Sequence, residues 1–222
     1  MSLYLVATPI GNLEDITLRA LRTLKESDYI LSEDTRVAKK LLDHYQIKKP
    51  LISFHHHTSE SKYKEVLSYL QKGLNISFVS DAGTPAISDP GGLLIDFIRR
   101  NDPEIFIEPI PGASALTAAI SVSGIKIDKF LFFGFLPHKK GRNKMIDEIL
   151  SSKYPVVLFE SKHRILKLLE EISSTSSSKK IMIFRELSKM HYSFYDGSAK
   201  ELLARFKEGK DSLKGEFTAI IY

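Results

Sequence analysis

Residues 3–15 are LYLVATPIGNLED, an apolar run that ends in a Pro/Gly turn and leads into a polar segment. The apolar run from Leu3 to Ala7 predicts a buried β-strand. A helix is expected to begin near Asp15, because Asp is a good N-cap residue. Its apolar face would carry Leu18, Leu21 and Leu24. A strand, a turn and a helix form the repeating unit of α/β proteins, so this stretch indicates an α/β fold.

The same alternation continues along the chain. Further strands are expected at 29–31, 51–54, 76–79, 105–107, 130–135, 156–159, 181–184 and 216–222. Helices are expected at 35–45, 63–70, 91–100, 113–123, 141–151, 163–172 and 199–208. The turn that ends at Gly112 predicts two α/β domains, 1–112 and 113–222. Between the helix at 163–172 and the strand at 181–184, the serine-rich tract 173–178 is expected to form a flexible surface turn.

Composition narrows the class of protein. The 222 residues are 43% hydrophobic and 27% charged, as in ordinary globular proteins. Without cysteine, the chain has no disulfide, no thiolate nucleophile and no Cys-ligated metal. The formal net charge is +5, and the excess lies in residues 113–222, which hold 19 Lys/Arg against 12 Asp/Glu. An anionic partner is therefore expected to meet the second domain.

The start of the chain lacks a basic segment, and no run approaches the roughly 20 apolar residues that a membrane span needs. The absence of cysteine also fits a reducing compartment. We therefore expect a cytoplasmic protein without a membrane segment.

Three loops are candidates for ligand binding because each follows a predicted strand, where open α/β sheets bind ligands. They span 7–15, 79–92 and 111–115, and all are rich in small and turn-forming residues. None contains a G-x-G-x-x-G or phosphate-loop motif, so a dinucleotide or nucleoside triphosphate is not indicated. Each loop also has a purely structural interpretation. Loop 7–15 could be a tight turn between strand and helix, and in loop 79–92 Asp81 and Asp89 could form hydrogen bonds within their own turn. In loop 111–115, Ser114 could be a helix N-cap.

A second set of residues has acid–base character. Glu33, Asp34 and Arg36 follow the second strand, and the histidines at 55–57 follow the third. A histidine here could orient or deprotonate a hydroxyl group. Adjacent histidines on an extended segment point alternately to opposite sides, so no metal site is predicted. The alternatives are a salt-bridged helix start at Asp34 and simple surface polarity at the histidines.

The segment 134–144 places four positive charges just after a strand. Lys139, Lys140 and Arg142 are expected to contact phosphate groups. The alternative is a solvated basic turn.

Taken in order, seven segments of the chain closely resemble the ribosomal RNA small subunit methyltransferase I family, a branch of the tetrapyrrole-methylase-like methyltransferases. The segments are ATPIGNLEDIT (7–17), SEDTR (32–36), VSDAGTPAISDPG (79–91), PGASA (111–115), GFLPHKKGR (134–142), FESKHR (159–164) and RELSK (185–189). The resemblance spans nearly the whole chain.

This resemblance implies an enzyme that uses S-adenosylmethionine to methylate the ribose 2′-hydroxyl of a cytidine in the decoding region of 16S ribosomal RNA. It implies two α/β domains with the cofactor in the cleft between them, and a homodimer. The implied substrate-facing residues are Glu33, Asp34, Arg36 and His55, of which His55 or Asp34 is the expected proton acceptor. The phosphates that Lys139, Lys140 and Arg142 are expected to contact would then be those of the RNA. The implied cofactor-binding residues are Pro9, Gly11, Asp81, Ala82, Gly83, Thr84, Ile87, Ser114 and Ala115.

Two other functions stay open from the sequence. One is a methyltransferase of a small tetrapyrrole-like acceptor on the same fold. The other is a noncatalytic RNA-binding module, which would not retain a cofactor pocket.

Overall fold

The computed structural model describes residues 1–175, 178–209 and 213–222, and it confirms the α/β fold class. The chain separates into two compact units, Met1–Ser114 and Ala115–Tyr222. This boundary lies after 114 rather than after 112. The Thr84 hydroxyl donates a hydrogen bond to the Ala113 carbonyl oxygen at 3.1 Å. This bond connects Ala113, which lies beyond the predicted boundary, to the first unit.

The first unit contains one five-stranded parallel sheet in the order β3-β2-β4-β1-β5. Its strands are β1 Ser2–Val6, β2 Tyr29–Ser32, β3 Leu51–Ser53, β4 Asn75–Val79 and β5 Phe106–Ile110. Its helices are α1 Leu18–Glu26, α2 Thr35–His44, α3 Glu60–Gln71 and α4 Gly91–Asn101. Because all five strands run the same way, the loops that follow them emerge at one edge of the sheet.

Apolar side chains cover both faces of this sheet, as is usual for parallel sheets. Leu3, Leu31 and Phe78 belong to one buried cluster. Val6 and Ile30 belong to another, which includes residues of α1 and α2. The sheet is therefore a rigid base for the loops at its carboxyl edge.

The first helix begins later than the sequence predicted. Asp15 ends a short 3₁₀ turn, Leu13–Asp15, and Thr17 is the N-cap of α1, with its side chain accepting from the Ala20 amide. Leu18 is 86% exposed, so it does not share the buried face of the helix with Leu24. The prediction failed because Asp15 and Thr17 are both good N-cap residues and the second of them is used.

The second unit contains a mixed sheet in the order β6-β7-β10-β8-β9. Its strands are β6 Leu131–Phe135, β7 Val156–Ser161, β8 Lys180–Arg185, β9 Ser193–Ser198 and β10 Glu216–Ile221. Its helices are α5 Ala115–Ser121, α6 Arg142–Ser151, α7 Ile165–Ser173 and α8 Ala199–Lys207. Strands β6 and β7 are parallel, whereas β10 runs antiparallel to β7 and β8, and β9 runs antiparallel to β8.

Strand β9 is a finding that the sequence did not predict. It lies at the edge of the sheet and includes Asp196 and Gly197, residue types that are depleted in strands. Of the serine-rich tract at 173–178, Ser173 ends α7, whereas residues 176 and 177 lie outside the described part of the chain.

Within the described ranges, no helix combines the length and the apolar composition needed to cross a membrane.

Candidate active site

An isolated antiparallel β-bridge between Thr8 and Gly83 joins the loops after β1 and β4. The Thr8 amide donates to the Gly83 carbonyl oxygen at 2.9 Å, and the Gly83 amide donates to the Thr8 carbonyl oxygen at 3.0 Å. The Thr8 hydroxyl also donates to the Ser80 carbonyl oxygen at 3.2 Å. Two segments that are far apart in sequence therefore form one surface at the carboxyl edge of the sheet.

Gly83 is the centre of this surface. Its φ of +83° is a conformation that L side chains rarely adopt, and an added Cβ would lie 3.3 Å from Ile10 Cγ2. The hydrogen bond from Thr84 to Ala113 brings the third loop against the same place. The three loops that the sequence indicated separately thus converge on a small-residue surface.

The predicted cofactor residues differ in their exposure. Pro9 and Gly83 are buried, and Thr84, Ser114 and Ala115 are half-buried. The exposed members are Gly11, Asp81, Ala82 and Ile87. Ser114 ends the first unit, and Ala115 is the first residue of α5 in the second.

Asp81 and Asp89 have different roles in the loop after β4. Asp89 Oδ1 accepts from the amides of Ala86, at 2.8 Å, and Gly91, at 3.0 Å, so this side chain stabilises its own turn. Asp81 Oδ1 instead accepts from the Asp34 amide at 3.1 Å. Asp81 therefore connects the loop after β4 to the loop after β2.

A concentration of negative charge results at this connection. Burial raises the pKa of Glu33 above its ordinary value, and the charges of Asp81 and Asp89 raise it further, whereas His56 and His55 lower it. Burial is also the largest cause of the raised pKa of Asp81. Such a site favours a cationic group that neutralises the carboxylates.

Asp34 is held in a different state by its own neighbour. Arg36 donates from its amide, at 2.8 Å, and from Nη2, at 2.6 Å, to the Asp34 carboxylate, which caps α2. The side-chain hydrogen bond from Arg36 is the largest cause that lowers the pKa of Asp34 to about 2. The salt-bridged helix start is therefore present, and Asp34 is a weak proton acceptor near neutral pH.

The three histidines lie on a turn after β3 rather than on an extended segment. The exposed His55 accepts from the His57 amide through Nδ1 at 3.1 Å. Because Nδ1 accepts this hydrogen bond, the neutral ring carries its proton on Nε2, and Nε2 is therefore a donor. In the described ranges, no group of three or more His, Cys, Asp or Glu side chains is arranged to hold a metal ion.

The basic segment after β6 is divided between surface and interior. Lys139 and Lys140 are exposed, as predicted, but Arg142 is only 2% exposed and pairs with Glu171 and Glu160. Arg142 therefore does not contact RNA phosphates from this position, which corrects the sequence-based expectation. The sequence did contain a signal: Arg142, Ile146 and Ile149 have the i, i+4, i+7 spacing of one buried helix face.

The chain is similar to known proteins over nearly its whole length. The family model for tetrapyrrole (corrin/porphyrin) methylases matches residues 2–203. The chain is 44% identical over 219 residues to ribosomal RNA small subunit methyltransferase I of Thermotoga maritima, covering 99% of this chain and 97% of that protein. For the protein of the same name from Borrelia garinii subsp. bavariensis, the identity is 46% over 220 residues, with the same two coverages of 99% and 97%. The Bacillus subtilis protein of that name is 40% identical, and 74% of its length is covered.

Solved structures share the fold at low sequence identity. The X-ray structure of cobalt precorrin-4 methyltransferase matches with a TM-score of 0.70 and 17% identity, covering 99% of this chain and 94% of that one. Uroporphyrin-III C-methyl transferase from Thermus thermophilus, complexed with S-adenosylhomocysteine, matches with a TM-score of 0.68 and 18% identity, covering 100% and 97%. The family assignment rests on the sequence matches, namely the family model over residues 2–203 and the relatives that are 44% and 46% identical over 99% of this chain. The chain belongs to the tetrapyrrole methylase family, and within it to the ribosomal RNA small subunit methyltransferase I group.

Proposed function

We propose that this protein uses S-adenosylmethionine to methylate the ribose 2′-hydroxyl of a cytidine in the decoding region of 16S ribosomal RNA. The observation that carries this proposal is the 44% identity to the Thermotoga maritima ribosomal RNA methyltransferase over 99% of this chain and 97% of that protein. A ribosomal substrate would locate the activity in the cytoplasm. The proposal includes a homodimer, in which a second copy would enlarge the basic surface available to the RNA.

The residues of the first unit fit S-adenosylmethionine. Gly83 has a positive φ that a side chain would disfavour, and the neighbouring Ala82 is small and exposed, so the main chain of this loop is accessible to a ligand. The carboxylate of Asp81 suits the positive sulfonium and amino groups, because burial and the nearby charges of Asp34 and Asp89 raise its pKa, and a cation beside it would favour the ionised form. We assign cofactor binding to residues of the first unit and to Ala115, the next residue along the chain; those of the first unit are Pro9, Gly11, Asp81, Ala82, Gly83, Thr84, Ile87 and Ser114.

S-adenosylmethionine supplies a methyl group that is activated by its bond to a positive sulfur. Transfer forms an oxygen–methyl bond at the ribose, breaks the sulfur–methyl bond and releases the hydroxyl proton. Positioning accounts for much of the rate, because the attacking oxygen must lie about 3 Å from the methyl carbon. The chain must therefore hold the ribose and accept one proton.

Glu33 is the best proton acceptor of the candidates. The Asp34 carboxylate is neutralised by Arg36, with a pKa of about 2, and His55 uses its Nδ1 lone pair on the His57 amide. Within the described ranges, the Glu33 carboxylate has neither a hydrogen-bond nor an ion-pair partner, and its pKa is raised toward neutrality. A carboxylate with a raised pKa is a stronger base than an ordinary one.

Methyl transfer to small ribosomal subunits tests the function directly. Subunits from a strain lacking this protein, mixed with the protein and labelled S-adenosylmethionine, should gain label in one cytidine of the 16S RNA, at an alkali-resistant linkage. Subunits from the parent strain should gain none, because the site is already methylated. Binding of the cofactor without transfer to RNA would favour a small tetrapyrrole-like acceptor, and the absence of cofactor binding would favour the noncatalytic module.

Substituting Gly83 tests the assignment of the cofactor surface. Gly83→Ala should weaken S-adenosylhomocysteine binding at least about tenfold, measured by calorimetry. The added Cβ would press on Ile10, and an Ala at this φ is strained by about 1–3 kcal/mol.

Two other glycines provide matched controls. Gly73 has a φ of +89° but nothing within 4 Å of an added Cβ, so Gly73→Ala should lower stability without changing cofactor affinity. Gly92 lies in the first turn of α4 and has open space as well, so Gly92→Ala should be tolerated. Equal cofactor affinity for Gly83→Ala and Gly92→Ala would contradict the assignment.

A further inference from the structure

Two loops of the second unit leave the sheet at the same edge. Strands β6 and β7 are parallel neighbours, so the segment that follows β6, residues 136–141, lies beside the segment that follows β7, residues 162–164. The first segment carries Lys139 and Lys140, and the second carries Lys162 and His163. All four side chains are exposed.

A network of buried charges lies beneath these loops. Arg142 Nε donates to Glu171 Oε2 at 2.8 Å, and Arg142 Nη1 lies 3.6 Å from Glu160 Oε2. Arg164 Nε lies 2.7 Å from Glu160 Oε1. The side chains of Arg142 and Glu160 are 2% and 0% exposed. Two positive and two negative charges balance one another in this network.

Both arginines also hold main-chain atoms of the first loop. Arg164 Nη1 donates to the Leu136 carbonyl oxygen at 2.7 Å, and Arg142 Nη1 donates to the Pro137 carbonyl oxygen at 3.2 Å. Glu160 Oε1 accepts from the Ser161 amide at 2.8 Å, at the start of the second loop. Apolar residues often stabilise a core as well as buried ion pairs do. What this network adds is a set of fixed donors and acceptors that determine the course of both loops.

The exposed surface above the network has the chemistry of an RNA contact. In the described part of the chain, Lys139, Lys140 and Lys162 have no carboxylate partner, so their charges are available to phosphates. Lysines bind the RNA backbone through its phosphates. Because positive charges from two neighbouring loops lie on this surface, it favours the polyanionic RNA of the proposed function over an acidic protein.

We propose that Lys162 forms, with Lys139 and Lys140, one phosphate-binding surface whose two loops are positioned by the buried network of Arg142, Glu160, Arg164 and Glu171. This inference rests on the proposed RNA substrate. It adds the second loop to the RNA surface and gives Arg164 and Arg142 a positioning role.

Ribosome binding tests this phosphate-binding surface. The affinity of the protein for small ribosomal subunits from a strain lacking it is measured over a range of salt concentrations. Lys162→Gln should reduce the slope of log K against log salt by about 0.7–0.9, which corresponds to a roughly five- to eightfold weaker affinity at 0.1 M salt. Lys200→Gln, an exposed lysine on α8, should leave both quantities unchanged. Because Lys162 is exposed and outside the network, its variant is expected to fold, and an unchanged slope would overturn the proposal.

Arg164→Lys tests the positioning role. The variant keeps a positive charge near Glu160 but loses the paired donors that reach both Glu160 and the Leu136 carbonyl. Subunit affinity and salt slope should fall although every surface lysine is present, and S-adenosylhomocysteine affinity should stay constant. Lower stability with an unchanged slope would mean that the network is merely structural. Should this variant not fold, Glu171→Gln serves in its place, because Glu171 is only partly buried and Gln keeps an acceptor for Arg142 Nε.

The wild-type protein separates this inference from the function on which it rests. If the wild type does not methylate the subunits, the proposed function fails. If it does methylate them while Lys162→Gln keeps the wild-type slope, only the further inference fails.

Discussion

Arg142→Ala is expected to lower the free energy of unfolding of the second unit by about 3–5 kcal/mol. The side chain is 2% exposed and holds Glu171, Glu160 and the Pro137 carbonyl oxygen. Its removal would leave Glu160 Oε2 buried beside an empty volume and would take one of two arginines away from the Glu160 carboxylate, whose Oε1 still contacts Arg164. Breaking a buried pair from one side is costly because the remaining charge loses its compensation.

Urea unfolding followed by far-ultraviolet circular dichroism measures this effect, since the chain has no Trp for fluorescence. The midpoint should fall by roughly 1–3 M. Hydrogen exchange should assign the loss to residues 115–222. Arg100→Ala is the control, because Arg100 pairs with Asp96 on an exposed helix face, where an ion pair contributes little. A midpoint for Arg142→Ala that matches this control would show that the network does not stabilise the unit.

Arg142 also illustrates what a sequence conceals. Its neighbours Lys139 and Lys140 suggested a solvated basic loop, and they are exposed. Gly141, with a φ of +85°, starts α6 in such a way that Arg142 lies on the same buried face as Ile146. The spacing of Arg142, Ile146 and Ile149 is compatible with that face, but a charged residue is assigned to it only when its partners are known. Those partners, Glu160 and Glu171, are far away in sequence and were not identifiable from the chain alone.

The alternation of strands and helices was predictable because each element carries its own periodicity. The direction of each strand was not predictable. Strand β10 is antiparallel to β7 and β8, and this pairing between distant segments leaves no signal in the local sequence. The edge strand β9 was missed for a related reason: a strand paired on one side only needs less apolar sequence.

The candidate site was predictable as a set of loops but not as a division of roles. Asp34 and Asp81 were predicted site residues, and Asp81 shared with Asp89 the alternative of hydrogen bonding within its own turn. The structure distinguishes them, because Asp34 is paired with Arg36, Asp89 holds its own turn and Asp81 joins two loops. Such differences arise from distances of a few ångströms between segments, which no spacing in the chain encodes.

Glu33→Gln is expected to reduce the rate of methyl transfer by about 10²–10⁴-fold if Glu33 accepts the hydroxyl proton. Gln has nearly the same shape but cannot take up a proton. The cofactor affinity should change less than the turnover, because the loss falls mainly on the chemical step. Single-turnover transfer to small ribosomal subunits measures the chemical step directly.

The pH dependence provides a second test of the same variant. Burial and Asp81 raise the pKa of Glu33 above its ordinary value. The carboxylate accepts a proton only when ionised, so wild-type activity should fall as the pH drops through this raised pKa. Glu33→Gln should lose that acidic limb, whereas Asp34→Asn should keep it, because the pKa of Asp34, about 2, lies below the range of the assay.

Glu33→Gln should lower the rate of methyl transfer without lowering the stability of the fold. A carboxyl group whose pKa is higher in the folded than in the unfolded state favours the protonated form on folding, so its ionisation opposes folding at neutral pH. Glu33→Gln removes that opposition, and the melting temperature at pH 7 should equal or exceed that of the wild type. Lost turnover together with retained stability would identify a functional charge, whereas a parallel loss of both would mean that Glu33 supports the fold. Wild-type turnover with an unchanged acidic limb would exclude Glu33 as the proton acceptor.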